Sequence, residues 1–127
     1  MAWKFDNERS IYLQLVEQIQ NRIITGAYPP GSKLASVRDL AAEAEVNPNT
    51  MQKALTELEH MGLVHAVRTI GRFVTEDMDM ITKMKYQSAA AIVEEFKKKM
   101  EALGFGQSEI VELVAQQSQS SKEAGES

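Results

Sequence analysis

Tyr12, Leu15, Val16, Ile19 and Ile23 fall at helical spacing on one face, which predicts an amphipathic helix that starts after Ser10 and runs to about Thr25. Gly26 is placed to end it, and Tyr28-Pro29-Pro30-Gly31 makes an extended segment and turn that no helix crosses. A second helix is expected from Ser36, which stands three residues before Asp39 as a capping-box-like pair, with Val37, Leu40, Ala41 and Ala44 facing inward. Asn47 then caps a third helix whose first position is Pro48, where the missing N–H is harmless. That helix continues to Met61 and stops at Gly62. Residues 63–67 and 71–75 are two short strand candidates joined by a turn at Arg68-Thr69-Ile70. Three helices followed by a β-hairpin predict a winged helix-turn-helix: a mainly α fold with one small hairpin.

From Asp77 the pattern changes. Ile81, Met84, Ser88, Ile92, Phe96, Met100 and Leu103 recur every three or four residues, the mark of a long amphipathic helix with a narrow seam. Gly104-Phe105-Gly106 breaks it, and Ser108, Glu109, Ile110, Leu113 and Val114 suggest a short return helix. The Ser-, Gln- and Glu-rich stretch 118–127 is expected to be a disordered tail. The organisation expected is therefore a DNA-binding domain over 1–76, a helical dimerisation segment over 77–117, and the tail. A short return helix leaves much of the long seam uncovered, so a second copy of the chain is the expected partner, and the seven seam residues are the expected dimer contacts.

Composition narrows the setting. The 127 residues are 43% hydrophobic and contain no cysteine, which excludes disulfides and thiolate chemistry. No apolar run is long enough to span a membrane, and Met-Ala-Trp-Lys-Phe-Asp lacks the apolar stretch of a secretory signal, so a cytoplasmic location without a membrane partner is expected. The net charge of −4 argues against nucleic acid at face value. Its distribution softens the objection: residues 1–76 hold eight Lys/Arg against nine Asp/Glu, whereas residues 77–127 hold six against nine.

The third helix carries the candidate chemistry. At 100° per residue, Met51, Ala54, Leu55 and Leu58 form the inward stripe, while Asn49, Lys53, Thr56 and His60 lie opposite with Gln52 and Glu57 flanking. Asn and Gln pair bidentately with adenine, Lys donates to guanine acceptors, and Thr reaches base edges or phosphate. Asn49 and Thr50, near the helix start, also lie within reach of phosphates. A solvated, capped surface is the bland alternative for any single helix of this kind. Arg38, in the first turn of the supporting helix, is suited to bidentate phosphate binding, or else pairs with Glu43 or Asp39.

Other features are less pointed. Lys97-Lys98-Lys99 reads as a solvated face near a helix C-terminus, or as a second DNA contact. Met78, Met80, Met84 and Met100 read as flexible core filler, against a drug or metal site. His60 and His65 belong to no metal-ligand cluster, so neither a metal nor another cofactor is expected. Trp3 and Phe5 could pack on the dimer seam or line a ligand pocket. No Gly-rich phosphate loop or nucleophile constellation is present, which argues against an enzyme.

Ile11-Tyr12-Leu13-Gln14-Leu15, Gly26-Ala27-Tyr28-Pro29-Pro30-Gly31-Ser32-Lys33-Leu34, Ser36-Val37-Arg38-Asp39-Leu40-Ala41 and Val46-Asn47-Pro48-Asn49-Thr50 together resemble the GntR family of bacterial transcription regulators over residues 10–76. The short helical C-terminal part resembles the YtrA-type subfamily, whose members carry two dimerisation helices in place of a large effector domain. The resemblance implies DNA contacts at Arg38, Asn49 and Thr50 and a wing over residues 68–71. With Ser36, Asn47, Gln52, Lys53, Thr56, Arg68, Thr69 and Gly71, these make the expected DNA-binding set. It further implies a dimeric repressor of a palindromic operator, such as that of a transporter operon, with an unidentified small-molecule effector allowed for. A winged-helix module that binds protein without binding DNA is the alternative.

The chain departs from the family pattern at four places. Ala35 stands where the family usually has Pro, and Glu45 where it often has Gly. Gln52 and Lys53 occupy positions commonly held by Arg, and the wing reads Arg68-Thr69-Ile70-Gly71 in place of Arg-Gly-x-Gly. A left-handed Glu45 costs on the order of 1 kcal/mol relative to Gly. The amide-rich helix predicts a reader of A-containing half-sites that depends on dimerisation for useful occupancy.

Overall fold

The computed structural model describes residues 2–126, with side chains described as far as residue 119. Its elements run α1 (Ile11–Ile24), α2 (Val37–Ala44), α3 (Pro48–His60), β1 (Val64–Val67), β2 (Gly71–Val74), α4 (Met78–Ala102) and α5 (Gln107–Glu126). The chain divides into two compact units, one ending at Lys85 and one beginning at Tyr86.

In the first unit the periodicity decides which faces meet. Leu15, Ile19 and Ile23 of α1, Leu40 of α2, and Met51, Leu55 and Leu58 of α3 are all essentially inaccessible to solvent. Each such apolar side chain contributes about 1.5–3 kcal/mol by leaving water. Ser10 starts α1 by accepting the Leu13 amide at 3.1 Å. β1 and β2 pair antiparallel, Val64 opposite Val74 and Val67 opposite Gly71. The segment before α2 joins their edge: Lys33 bridges Phe73, with Leu34 N donating to Arg72 O at 2.9 Å and Val74 N to Ser32 O at 2.8 Å. The start of α2 is thus tied to the hairpin by backbone.

The residues ahead of α1 are fastened to it. Buried Gln14 accepts the Asp6 amide at 2.9 Å and donates to the carbonyls of Asp6 and Arg9, while Gln18 donates to Lys4 O at 2.7 Å. The Arg22 guanidinium lies 3.5 Å from the Trp3 ring centroid and donates to the Tyr28 hydroxyl at 3.2 Å. Trp3 and Phe5 therefore pack against the core of the first unit. That position is neither of the two that the sequence left open.

Two sequence expectations need correction. Ile81 was placed on the dimer seam, yet it is 5% exposed and belongs to the first unit's core, with Met84 packed beside it. Helical periodicity marks a face without saying which neighbour covers it, and here the early turns of α4 close the winged helix. The fold boundary consequently falls near Lys85 and not at residue 76. The second correction concerns residues 118–126, expected to lack structure, which continue α5 to Glu126. No proline interrupts the ladder begun at Gln107. Ser127 lies outside the described residues.

In the second unit, Gly104 N donates to Glu101 O at 2.9 Å and Phe105 N to Met100 O at 3.2 Å, closing α4. Glu109 accepts the Gly106 amide at 3.0 Å and opens α5. Among its described residues only Ile110 is buried. Among the described residues, no helix is long and apolar enough to cross a membrane.

Candidate nucleic-acid interface

The helix-turn-helix is set by three local devices. Ser36 Oγ accepts the Asp39 amide at 3.1 Å and starts α2. At its other end Val46 N donates to Ala41 O at 3.0 Å and Glu45 N to Ala42 O at 3.3 Å, a Schellman closure that forces Glu45 into the left-handed region at φ 57°, ψ 46°. Asn47 Oδ1 then accepts the Asn49 amide at 2.8 Å, and Pro48 begins α3. Asn47 thus spends its carbonyl on the cap. The strain foreseen at Glu45 is present.

Met51, Ala54, Leu55 and Leu58 are fully buried, as the wheel predicts, which turns Asn49, Gln52 and Lys53 outward and leaves Thr50 and Thr56 half-buried. The exposed side chains are partly organised before any ligand arrives. Thr56 Oγ1 donates to the Gln52 carbonyl at 2.9 Å and receives the Gln52 amide at 3.5 Å. Lys53 Nζ stands 5.2 Å from the centroid of the Tyr12 ring, a cation–π distance that steers it toward α1.

The wing is closed by Ile70 N donating to Val67 O at 3.0 Å. Thr69, third residue of that turn, takes φ 66°, a conformation that glycine or asparagine ordinarily supplies and a β-branched side chain rarely adopts. The lost wing glycine is therefore borne as backbone strain at an exposed tip, beside the exposed Arg68 and Ile70. At the wing's base, Arg72 Nε donates to Glu59 Oε1 at 2.5 Å, linking β2 to the last turns of α3.

The near-neutral charge of the first unit hides an uneven use of its cations. Arg9 is bound to Glu17, Arg22 is buried against Trp3 and Tyr28, and Arg72 is bound to Glu59. Lys33, Arg38 and Arg68 are exposed and make no ion pair among the described residues, so neither Asp39 nor Glu43 neutralises Arg38. Sequence reasoning passed over Lys33. It lines an open groove with Ser36, Asp39 and Gly71, between the wing and the start of α2. The available signal was modest: Lys33 is the one cation between Arg22 and Arg38.

Residues 11–74 match the sequence model of the bacterial regulatory proteins of the gntR family. The chain is 36% identical over 109 residues to YhcF, an HTH-type transcriptional regulator of Bacillus subtilis (strain 168), covering 86% of this chain and 90% of that one. It is 40% identical over 67 residues to the HTH-type transcriptional repressor YtrA of the same organism, about half of each chain. A GntR family transcriptional regulator from Listeria monocytogenes superposes with a TM-score of 0.83 at 39% identity, covering 88% of this chain and 98% of the other. The DNA-binding domain of AraR, solved in complex with the operator ORX1, superposes with a TM-score of 0.52 at 27% identity over 59% of this chain and 99% of that one.

Proposed function

The chain belongs to the GntR family of bacterial regulatory proteins, and on that premise we propose that it is a dimeric repressor acting on a palindromic operator. It is a transcriptional regulator with a winged helix-turn-helix DNA-binding domain, and not an enzyme. The observation that carries the reading is the division of α3: its apolar stripe is wholly buried, so Asn49, Gln52, Lys53 and Thr56 present hydrogen-bonding groups outward. Arg38 supplies a phosphate anchor from α2, and Arg68 another from the wing.

Dimerisation is supported by the second unit. Ile92, Leu103 and Val111 are each more than 60% exposed, and with Ile110 the one buried residue among its described residues the unit lacks a core of its own. A second copy supplies the missing apolar surface, and a two-fold dimer matches a two-fold operator. The repressor assignment follows the name of the YtrA relative and the occlusion expected of a small dimer at a promoter. A cytoplasmic location goes with that role.

The acidic balance favours one rival, a winged-helix module that binds protein without DNA. A salt titration separates them. The repressor reading expects log affinity for an enriched duplex to fall linearly with log salt, by about 0.9 for each phosphate neutralised. Failure to enrich any duplex from a random-sequence pool at low salt would leave the protein-binding module standing.

A further inference from the structure

We propose that Lys33 is a DNA-phosphate contact, seated in the groove between the wing and the start of α2; this rests on the DNA-binding reading above. Lys33 is fixed at the backbone, because Ser32, Lys33 and Leu34 pair with β2 as an edge strand. Its stem runs over the end of the wing turn: a Cβ at Gly71 would lie 2.9 Å from Lys33 Cε and 3.8 Å from Nζ. The ammonium group ends in an open groove that also holds Ser36. The Ser36 oxygen accepts the Asp39 amide, which leaves its hydroxyl proton available to an oxyanion.

Three charged side chains line this groove, and one of them, Arg72, is already held by Glu59. Asp39 lines the same wall, yet it makes no ion pair with Lys33 among the described residues. The ammonium therefore stays unneutralised at an exposed position. In a helix-turn-helix the first of the two helices crosses the DNA backbone while the second enters the major groove. The start of α2 is where that backbone passes, with the wing beside it. A phosphate there meets Lys33 before any base edge is in reach, so the contact adds affinity without sequence preference.

The test uses the full chain and duplexes that the wild-type protein enriches from a random-sequence pool. Lys33→Met keeps the apolar stem over Gly71 and removes the charge; Lys33→Arg restores it. Lys33→Met is expected to raise Kd about 5- to 10-fold, equally on all base-substituted versions of the duplex, and to lower the salt slope by about 0.9 per subunit. Lys33→Arg is expected to stay within about twofold of wild type. A Lys33→Met protein with unchanged Kd and salt slope, alongside an Arg38→Ala protein that binds weakly, would overturn this inference alone. So would a loss that depends on base sequence or leaves the slope untouched. If the wild-type chain enriches no duplex, the inference falls together with the DNA-binding reading.

Discussion

Arg72 on the second wing strand and Glu59 in the last turns of α3 are joined at 2.5 Å, with about a quarter of each side chain still exposed. A charge-assisted bond in that setting fixes the wing relative to α3. Removing either partner strands the other charge in a half-buried site. A double-mutant cycle of Arg72→Ala and Glu59→Ala, followed by urea unfolding, is expected to give a coupling of about 1 kcal/mol, the upper end for exposed pairs. A coupling near zero would mean that strand pairing alone holds the wing.

Three helices in this chain end with the same pair of backbone bonds, and two of them place glycine in the left-handed position: Gly62 after α3 and Gly104 after α4. The third places Glu45 there, exposed, with no side-chain bond or ion pair among the described residues. Glu45→Gly is therefore expected to stabilise the first unit by about 1 kcal/mol, seen as a higher urea midpoint at unchanged slope. Glu45→Ala keeps a Cβ in the same strained conformation and should give no such gain. Equal midpoints for the two variants would remove left-handed strain as the cause.

The elements that sequence placed well are those written by local chemistry. Ser10, Ser36 and Asn47 cap their helices through their own side chains, and the buried stripes of α1 and α3 follow a period that needs no knowledge of the partner. What it missed depends on distant contacts. Ile81 lies on the same periodic run as Phe96, but only the packed fold reveals that it closes the first unit. Lys33 acquires its place from pairing with Phe73, forty residues away in sequence. Lys53 was legible as outward-facing, whereas its approach to Tyr12 was not.

Gln52 already donates weakly to Thr56 on its own helix, at 3.5 Å and in solvent, so exchanging that bond for a base edge costs little. Gln52→Ala is expected to lose about 1–3 kcal/mol of discrimination at one base-pair position and to leave the other positions unchanged. Arg38→Ala should instead weaken binding to every duplex alike. Competition among singly substituted duplexes distinguishes the two patterns. A uniform loss from Gln52→Ala would demote that residue from base reader to backbone contact.

Phe96 is 39% exposed and borders the apolar groove that Ile110, Val111 and Val114 of α5 also line. A carboxylate placed there would have to be buried in any dimer that uses this face, and burying an unpaired charge costs several kcal/mol. Phe96→Glu is expected to sediment as a monomer. The core residues of the winged helix all lie before Lys85, so its cooperative unfolding should persist. Two linked DNA-binding units gain from effective concentration what one cannot, so affinity for a full palindrome should drop on the order of 100-fold while affinity for a half-site stays level. A Phe96→Glu protein that remains dimeric would move the interface elsewhere on the molecule. A monomer that binds the palindrome as tightly as wild type would instead sink the requirement for two copies.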